Sequence, residues 1–125
     1  MPWDLDENRP IYLQLMERIE QDIVSGKYNP GDKLPSVRDL ALEAGVNPNT
    51  MQKAMSELER DGLIHAKRTS GRFITEDENM IKELKRELAQ EHIRAFIENM
   101  RQLGFDINEI PELITDAAKG GQSNE

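Results

Sequence analysis

The sequence predicts a mainly α-helical protein with one small β-hairpin, an α+β fold. Apolar residues recur at helical spacing along most of the 125-residue chain, and two short β-type runs flank a Ser-Gly turn between residues 63 and 75. A composition of 37% hydrophobic and 32% charged residues suits a helical protein with much exposed surface. The length holds one ordinary domain, or a small domain followed by an oligomerisation segment.

The charge is distributed unevenly along the chain. The formal net charge is −8, which argues against binding of nucleic acid by the whole surface. Residues 1–75 carry 10 Lys/Arg and 12 Asp/Glu, a net charge of −2, whereas residues 76–125 carry 6 and 12, a net charge of −6. Most of the acidic excess therefore belongs to the C-terminal part.

Several classes of protein are disfavoured by residues that the sequence lacks. It contains no cysteine, so no disulfide, thiol nucleophile or Cys-ligated zinc is expected. No apolar run approaches the roughly 20 residues of a membrane span, and the N-terminus lacks a signal-peptide core. We therefore expect a cytoplasmic protein with no membrane association.

The first 35 residues predict an arm, a helix and a short extended piece. Residues 1–8 form a polar arm, in which Trp3 and Leu5 are expected to anchor the chain onto another surface. An apolar stripe predicts a helix over residues 10–25, ended by Gly26. Residues 32–35 are expected to be extended, because the residue before a proline avoids the helical region.

Residues 36–62 predict two short helices joined by a tight turn. Ser36 and Asn47 are suitable N-caps, Pro48 suits a first helical position, and Gly45 suits the turn. The second helix buries one apolar face. Its other face has no carboxylate and consists of Asn49, Thr50, Gln52, Lys53 and Ser56. This is the helix-turn-helix pattern, in which the second helix enters the major groove of DNA.

The hairpin that follows is basic. No acidic residue lies between Asp61 and Glu76, and the same interval contains the basic residues Lys67, Arg68 and Arg72. A basic hairpin directly after a helix-turn-helix is typical of the wing of a winged helix, whose tip reaches phosphates or the minor groove. We therefore place a winged helix-turn-helix DNA-binding domain at residues 9–75.

The C-terminal part predicts a two-helix dimerisation segment at residues 76–118. A long helix over residues 77–103 ends at Gly104, and Asp106 or Asn108 caps a short last helix. Two such helices cannot bury their own apolar stripes, so a second copy is expected to cover them. Residues 119–125 are expected to be disordered. The residues expected at the dimer interface are Ile81, Leu84, Leu88, Ala95, Phe96, Met100, Leu103, Ile110, Leu113 and Ile114.

The sequence lacks the usual signals of an enzyme. It has no phosphate-binding glycine loop, no nucleophile elbow and no set of metal ligands. His65 and His92 lie outside any ligand-spaced pattern, and His92 falls close to the apolar stripe of the tail. We expect no catalysis, metal or cofactor.

The first 75 residues contain a longer pattern that includes the segments above. It begins with Pro10-Ile-Tyr12 and the run from Gly31 through Leu-Pro-Ser36-Val-Arg38-Asp-Leu-Ala. It continues with Gly45-Val-Asn-Pro-Asn-Thr50, Glu57-Leu-Glu, Asp61-Gly-Leu, Lys67-Arg68 and Gly71-Arg-Phe-Ile74. In this pattern the chain resembles the GntR family of bacterial transcription regulators. The short helical tail is similar to that of the YtrA subfamily, where most other GntR proteins carry a larger effector-binding domain.

The resemblance implies a homodimer on a pseudo-palindromic double-stranded DNA operator, usually acting as a repressor, often of its own operon and a linked ABC transporter. Thr69 departs from the family pattern, which commonly has glycine after the wing arginine, and Pro48 stands where other subfamilies can carry a base-reading arginine. With the basic hairpin included, the expected DNA-binding residues are Ser36, Arg38, Asn47, Asn49, Thr50, Gln52, Lys53, Lys67, Arg68, Ser70, Gly71 and Arg72.

Two other interpretations remain open from the sequence. A winged helix can serve protein–protein contact after losing DNA binding, and the net acidity is compatible with that role. Alternatively, an effector of unknown identity binds at the tail or dimer interface, where Trp3 and Phe96 could line a pocket, although so short a tail leaves little room for one.

Overall fold

A computed structural model describes the backbone of residues 2–123 and the side chains of residues 2–120. The elements, in order, are α1 (Ile11–Val24), α2 (Val37–Ala44), α3 (Pro48–Arg60), β1 (Ile64–Lys67), β2 (Gly71–Ile74), α4 (Glu78–Gln102), a 3-10 turn (Ile107–Glu109) and α5 (Ile110–Ser123). The predicted α+β class, mostly helical with a two-stranded antiparallel sheet, is confirmed.

The chain divides into two compact units, Met1–Lys85 and Arg86–Glu125. In the first unit, α1 and α2 both pack against α3, and their apolar faces enclose one core. The fully buried large side chains of this core are Leu15, Ile19, Leu40, Met51, Met55, Leu58, Ile64 and Ile74. The core supports α3 from behind and leaves its polar face exposed.

The N-terminal arm is anchored to the first unit at two places. Trp3 is 8% exposed, its indole Nε1 donates to Glu43 Oε2 at 3.1 Å, and its backbone N–H donates to the Ala44 carbonyl at 3.3 Å. Further along, the Asp6 backbone N–H donates to the side-chain oxygen of the buried Gln14 at 2.7 Å. The arm therefore holds the end of α2, as predicted for an anchoring tryptophan.

The extended piece before α2 joins the hairpin. Lys33 forms an antiparallel bridge with Phe73, and the Leu34 backbone N–H donates to the Arg72 carbonyl at 2.9 Å. The Ile74 N–H donates in turn to the Asp32 carbonyl at 2.8 Å. These bonds fix the base of the hairpin beside the N-terminus of α2.

The last helix differs from the sequence-based expectation at its end. In the structure, α5 continues through Lys119 to Ser123, whereas disorder was expected over residues 119–125. The disorder expected over residues 119–125 stays a prediction. Glycine lowers helix stability by about 1 kcal/mol relative to alanine but does not obstruct the helical backbone, so α5 can propagate through Gly120. Asn124 and Glu125 lie outside the described residues.

Candidate nucleic-acid interface

The polar face of α3 is the centre of the candidate interface. Asn47 caps the helix, its side-chain oxygen accepting the Asn49 N–H at 2.7 Å, and Pro48 occupies the first turn. The buried face consists of Met51, Ala54, Met55 and Leu58, as predicted, and the first turn contains no acid. The opposite face exposes Asn49, Gln52, Lys53 and Ser56, whereas Thr50 is half-buried.

The turn between α2 and α3 has the geometry that the sequence predicts. Gly45 has φ +77°, in the left-handed region that a Cβ disfavours. Ser36 caps the start of α2, its hydroxyl oxygen accepting the Asp39 N–H at 3.1 Å. Because each cap uses an oxygen as acceptor, the Ser36 hydroxyl hydrogen and the Asn47 amide hydrogens stay available to donate to DNA.

The hairpin forms the predicted wing. β1 and β2 pair antiparallel, with Lys67 opposite Gly71 at the end of the ladder, and Arg68, Thr69 and Ser70 make an exposed tip. The Ser70 N–H closes the tip by donating to the Lys67 carbonyl at 3.0 Å. Gly71 has φ +105° and Lys33 Cε would lie 3.1 Å from a Cβ built on it, so a larger residue would strain this turn.

The start of α2, the face of α3 and the wing meet around one open groove of about 630 Å³. Six predicted DNA-binding residues line it, and they come from three separate stretches of the chain: Ser36, Arg38, Gln52, Ser70, Gly71 and Arg72. The other six lie outside the lining: Asn47, Asn49, Thr50, Lys53, Lys67 and Arg68. The groove also contains one acid, Asp39, in the first turn of α2.

The basic side chains differ in what they contact. Arg38 and Arg68 are exposed, and neither forms an ion pair within the part of the chain that the structure describes. Neither Asp39 nor Glu43, the acids nearest to Arg38 in the sequence, forms an ion pair with it. Both guanidinium groups can therefore meet phosphates without first breaking an intramolecular pair.

Arg72 is instead paired within the protein. Its Nε donates to Glu59 Oε1, and the side chains of Arg72 and Glu59 are 24% and 31% exposed. The pair ties β2 to the C-terminal half of α3. Arg72 thus joins the wing to the helix, although its side chain also lines the groove.

Two lysines lie over aromatic rings. The Lys53 ammonium is 4.0 Å from the centroid of the Tyr12 ring, and the Lys67 ammonium is 4.5 Å from that of Phe73. His65 stacks on the same Phe73 ring with centroids 6.2 Å apart. Each ring comes from a neighbouring element, so these contacts depend on the tertiary fold.

Sequence reasoning did not identify Lys33 and Tyr12 as parts of the interface. Lys33 lines the groove and is exposed beside Gly71, because the bridge to Phe73 brings it to the wing. In the sequence, the only feature that could have indicated this role is the position of Lys33 directly before Leu34 and Pro35, which lead into α2. No local pattern connected Tyr12 with α3.

The second unit presents apolar side chains at its surface. The helix α4 has residues in both units and none of them is buried; in the second unit, Phe96 and Leu103 are 38% and 73% exposed. On the following elements Ile107 and Ile114 are about half exposed, whereas Ile110 is buried. Ile81 and Leu84, predicted for the dimer interface, belong to the first unit and pack partly buried against its core. Ile93, which was not predicted, is 54% exposed.

Residues 2–123 bring together no group of three His, Cys, Asp or Glu side chains that could hold a metal ion. Within that same range, none of the helices combines the length and the apolar character needed to cross a bilayer.

The chain belongs to the GntR family of bacterial regulatory proteins, whose family model matches residues 11–74. The fold and the groove define a winged helix-turn-helix protein of the DNA-binding type, and the comparisons agree. YhcF of Bacillus subtilis (strain 168), an uncharacterized HTH-type transcriptional regulator, is 41% identical over 114 residues, covering 91% of this chain and 94% of its own. The HTH-type transcriptional repressor YtrA of the same organism is 35% identical over 126 residues, covering 98% and 97%.

Two solved structures are similar to this chain. A GntR family transcriptional regulator from Listeria monocytogenes superposes with a TM-score of 0.83 at 38% identity, covering 90% of this chain and 98% of that one. The DNA-binding domain of AraR in complex with operator ORX1 gives a TM-score of 0.52 at 32% identity, covering 60% and 92%. The relatives are transcriptional regulators, and this chain is one by family.

Proposed function

We propose that this protein is a dimeric repressor that binds a pseudo-palindromic DNA operator. The observation that carries the proposal is the groove, where Gln52 of α3 and the unpaired Arg38 meet the wing, and no acid lies in the first turn of α3. A chain of net charge −8 needs such a locally basic surface to approach phosphates.

The N-terminal half of α3 enters the major groove in this proposal. Asn49 and Gln52 are exposed amides, which suit adenine, and Lys53 suits guanine or a phosphate. Pro48 occupies the first turn without a base-reading side chain, so discrimination between bases depends on these amides, Thr50 and Lys53.

Phosphate contacts supply register and most of the affinity. Arg38 lines the groove at the start of α2, and Arg68 lies at the exposed tip of the wing, outside the groove lining. Ser36, through its free hydroxyl hydrogen, and Lys67 add further contacts. Because counterions are released from each neutralised phosphate, operator affinity should fall steeply with salt.

The similarity to a named repressor and to an operator-bound domain supports the role. YtrA is named a repressor, and the AraR domain was solved with its operator. Occupancy of an operator that overlaps a promoter blocks transcription without any catalytic step. We propose the protein's own operon, with a linked ABC transporter, as the target.

Gel shifts with a promoter fragment of its own operon, and scrambled DNA as control, test the proposal. We expect Arg38→Ala and Lys53→Ala each to weaken binding by about 5- to 150-fold, the range for one lost contact of about 1–3 kcal/mol. Lys27→Ala is the matched control, because Lys27 follows the C-terminal end of α1, pairs with Asp22 and lies outside the groove lining. Equal affinity of the parent for operator and scrambled DNA would refute specific binding.

We also propose that the second unit holds two copies together. Exposed apolar side chains there, among them Phe96, Leu103 and Ile114, need a cover that a second chain can supply. Two-fold symmetry would then place two copies of α3 about one helical turn of DNA apart, or a multiple of it.

Light scattering of Phe96→Asp tests the dimer. We expect a single-chain mass for this variant and a dimer mass for the parent, since a buried carboxylate opposes association. Leu13→Asp is the control, because Leu13 is also 38% exposed but lies in the first unit. A single-chain mass for the parent at working concentration would contradict the proposal.

A further inference from the structure

The contact between Lys53 and Tyr12 links the face of α3 to α1. The lysine Nζ lies 4.0 Å from the ring centroid, within the range of a cation–π interaction. Lys53 is exposed, whereas Tyr12 is half-buried and packs against the core of the first unit. Among the residues that the structure describes, Lys53 has no carboxylate partner.

An aromatic ring restrains a lysine without neutralising it. A free lysine loses rotamer entropy when its ammonium is fixed at one place. The face of a ring attracts the ammonium but accepts no full hydrogen bond, so the N–H groups that point away from the ring can still donate. A carboxylate partner would cancel the charge as well, as Glu59 does for Arg72.

We propose that Tyr12 is a positioning residue that holds the Lys53 ammonium in place for DNA. The inference rests on the proposed function and deepens it, because it assigns to α1 a role in recognition by α3. Contact with the ring restricts the Lys53 side chain in the free protein, so less side-chain entropy is lost when DNA binds. Lys67 over Phe73, at 4.5 Å, is the same arrangement on the wing.

A double-mutant cycle tests the proposal, with affinities measured by gel shift on the promoter fragment used above. The variants are Tyr12→Leu, Lys53→Ala and the double replacement. We expect Tyr12→Leu to weaken operator binding by about two- to five-fold, the range of an exposed cation–π contact. In the Lys53→Ala background the same replacement should change affinity by less than about 1.5-fold, because no ammonium is left to position.

Tyr12→Phe is the matched control, since it keeps the ring and removes only the hydroxyl. We expect it to bind like the parent. Affinity as weak as that of Tyr12→Leu would mean that the hydroxyl itself contacts DNA, and would overturn the positioning role. An equal loss from Tyr12→Leu in both backgrounds would overturn it too, because packing of α1 against α3 would then explain the loss.

An NMR measurement on the free protein keeps the two proposals apart. The Lys53 side-chain methylene protons should be shifted upfield by the Tyr12 ring current in the parent and in Tyr12→Phe, but not in Tyr12→Leu. Absence of that shift in the parent refutes the contact whatever the DNA result. If the parent fails to discriminate operator from scrambled DNA, the proposed function falls; if it discriminates and the cycle is additive, only the positioning role falls.

Discussion

Replacement of Trp3 by alanine should destabilise the first unit strongly, although the residue lies near the chain terminus. Trp3 is 8% exposed, and Arg18 lies over its ring with the guanidinium carbon 4.7 Å from the centroid. A buried tryptophan removes on the order of 200 Å² from water, which at about 25 cal/mol per Å² sets an upper bound of about 5 kcal/mol. Because an arm can relax into the space left behind, we expect a loss of about 3 kcal/mol.

The assay is urea unfolding followed by far-UV circular dichroism, since Trp3 is the only tryptophan and its fluorescence disappears with it. Trp3→Phe keeps most of the apolar contact and removes the bond to Glu43, so it should cost about 1 kcal/mol. Leu42→Ala is the control for an exposed apolar residue, because Leu42 is 83% exposed and should change stability by less than about 0.5 kcal/mol. A loss below about 1 kcal/mol for Trp3→Ala would refute the anchoring role.

Three further predictions concern the same unit. Gly45→Ala should cost about 1–2 kcal/mol in urea unfolding, because φ is +77° and Pro2 Cβ would lie 3.0 Å from the new Cβ; an unchanged midpoint would contradict this. Glu59→Gln removes the ion pair with the part-buried Arg72, so it should cost about 1 kcal/mol and speed hydrogen exchange in β2; unchanged exchange would show that the pair does not hold the wing. Burial raises the pKa of Tyr28 above its ordinary value of 10.0, so the unfolded chain loses this proton first, and stability should fall as pH rises from about 10 through the folded pKa. Comparing urea midpoints at about pH 9 and pH 11 for the parent and Tyr28→Phe checks this, since the variant should lose less stability over that interval.

The helix-turn-helix could be predicted because its signals are local. Ser36 and Asn47 cap helices through atoms two or three residues away, and Gly45 supplies a left-handed turn that few other residues adopt. The apolar spacing of Met51 and Met55 identifies the buried face of α3 without any knowledge of its partners. The end of α5 was less predictable, since glycine weakens a helix without setting a fixed end.

The candidate interface depends on both the sequence and the tertiary structure. An acid-free face on α3 and a basic hairpin are properties of the sequence, and they identified the DNA-binding class before any contact was known. Which basic groups are free is a tertiary property: Arg38 has no ion pair in the described chain, whereas Arg72 is held by Glu59. The Lys53–Tyr12 contact likewise joins residues far apart in the sequence.

By itself, the sequence determined the order and type of the elements, the buried face of α3 and the family, because backbone capping and apolar periodicity act over a few residues. The tertiary structure alone decided which side chains meet. Lys33 reaches the wing only because its strand pairs with Phe73, and no short-range pattern encodes that pairing. Contacts between distant segments follow from how helices and strands pack into one core, which is a property of the folded chain as a whole.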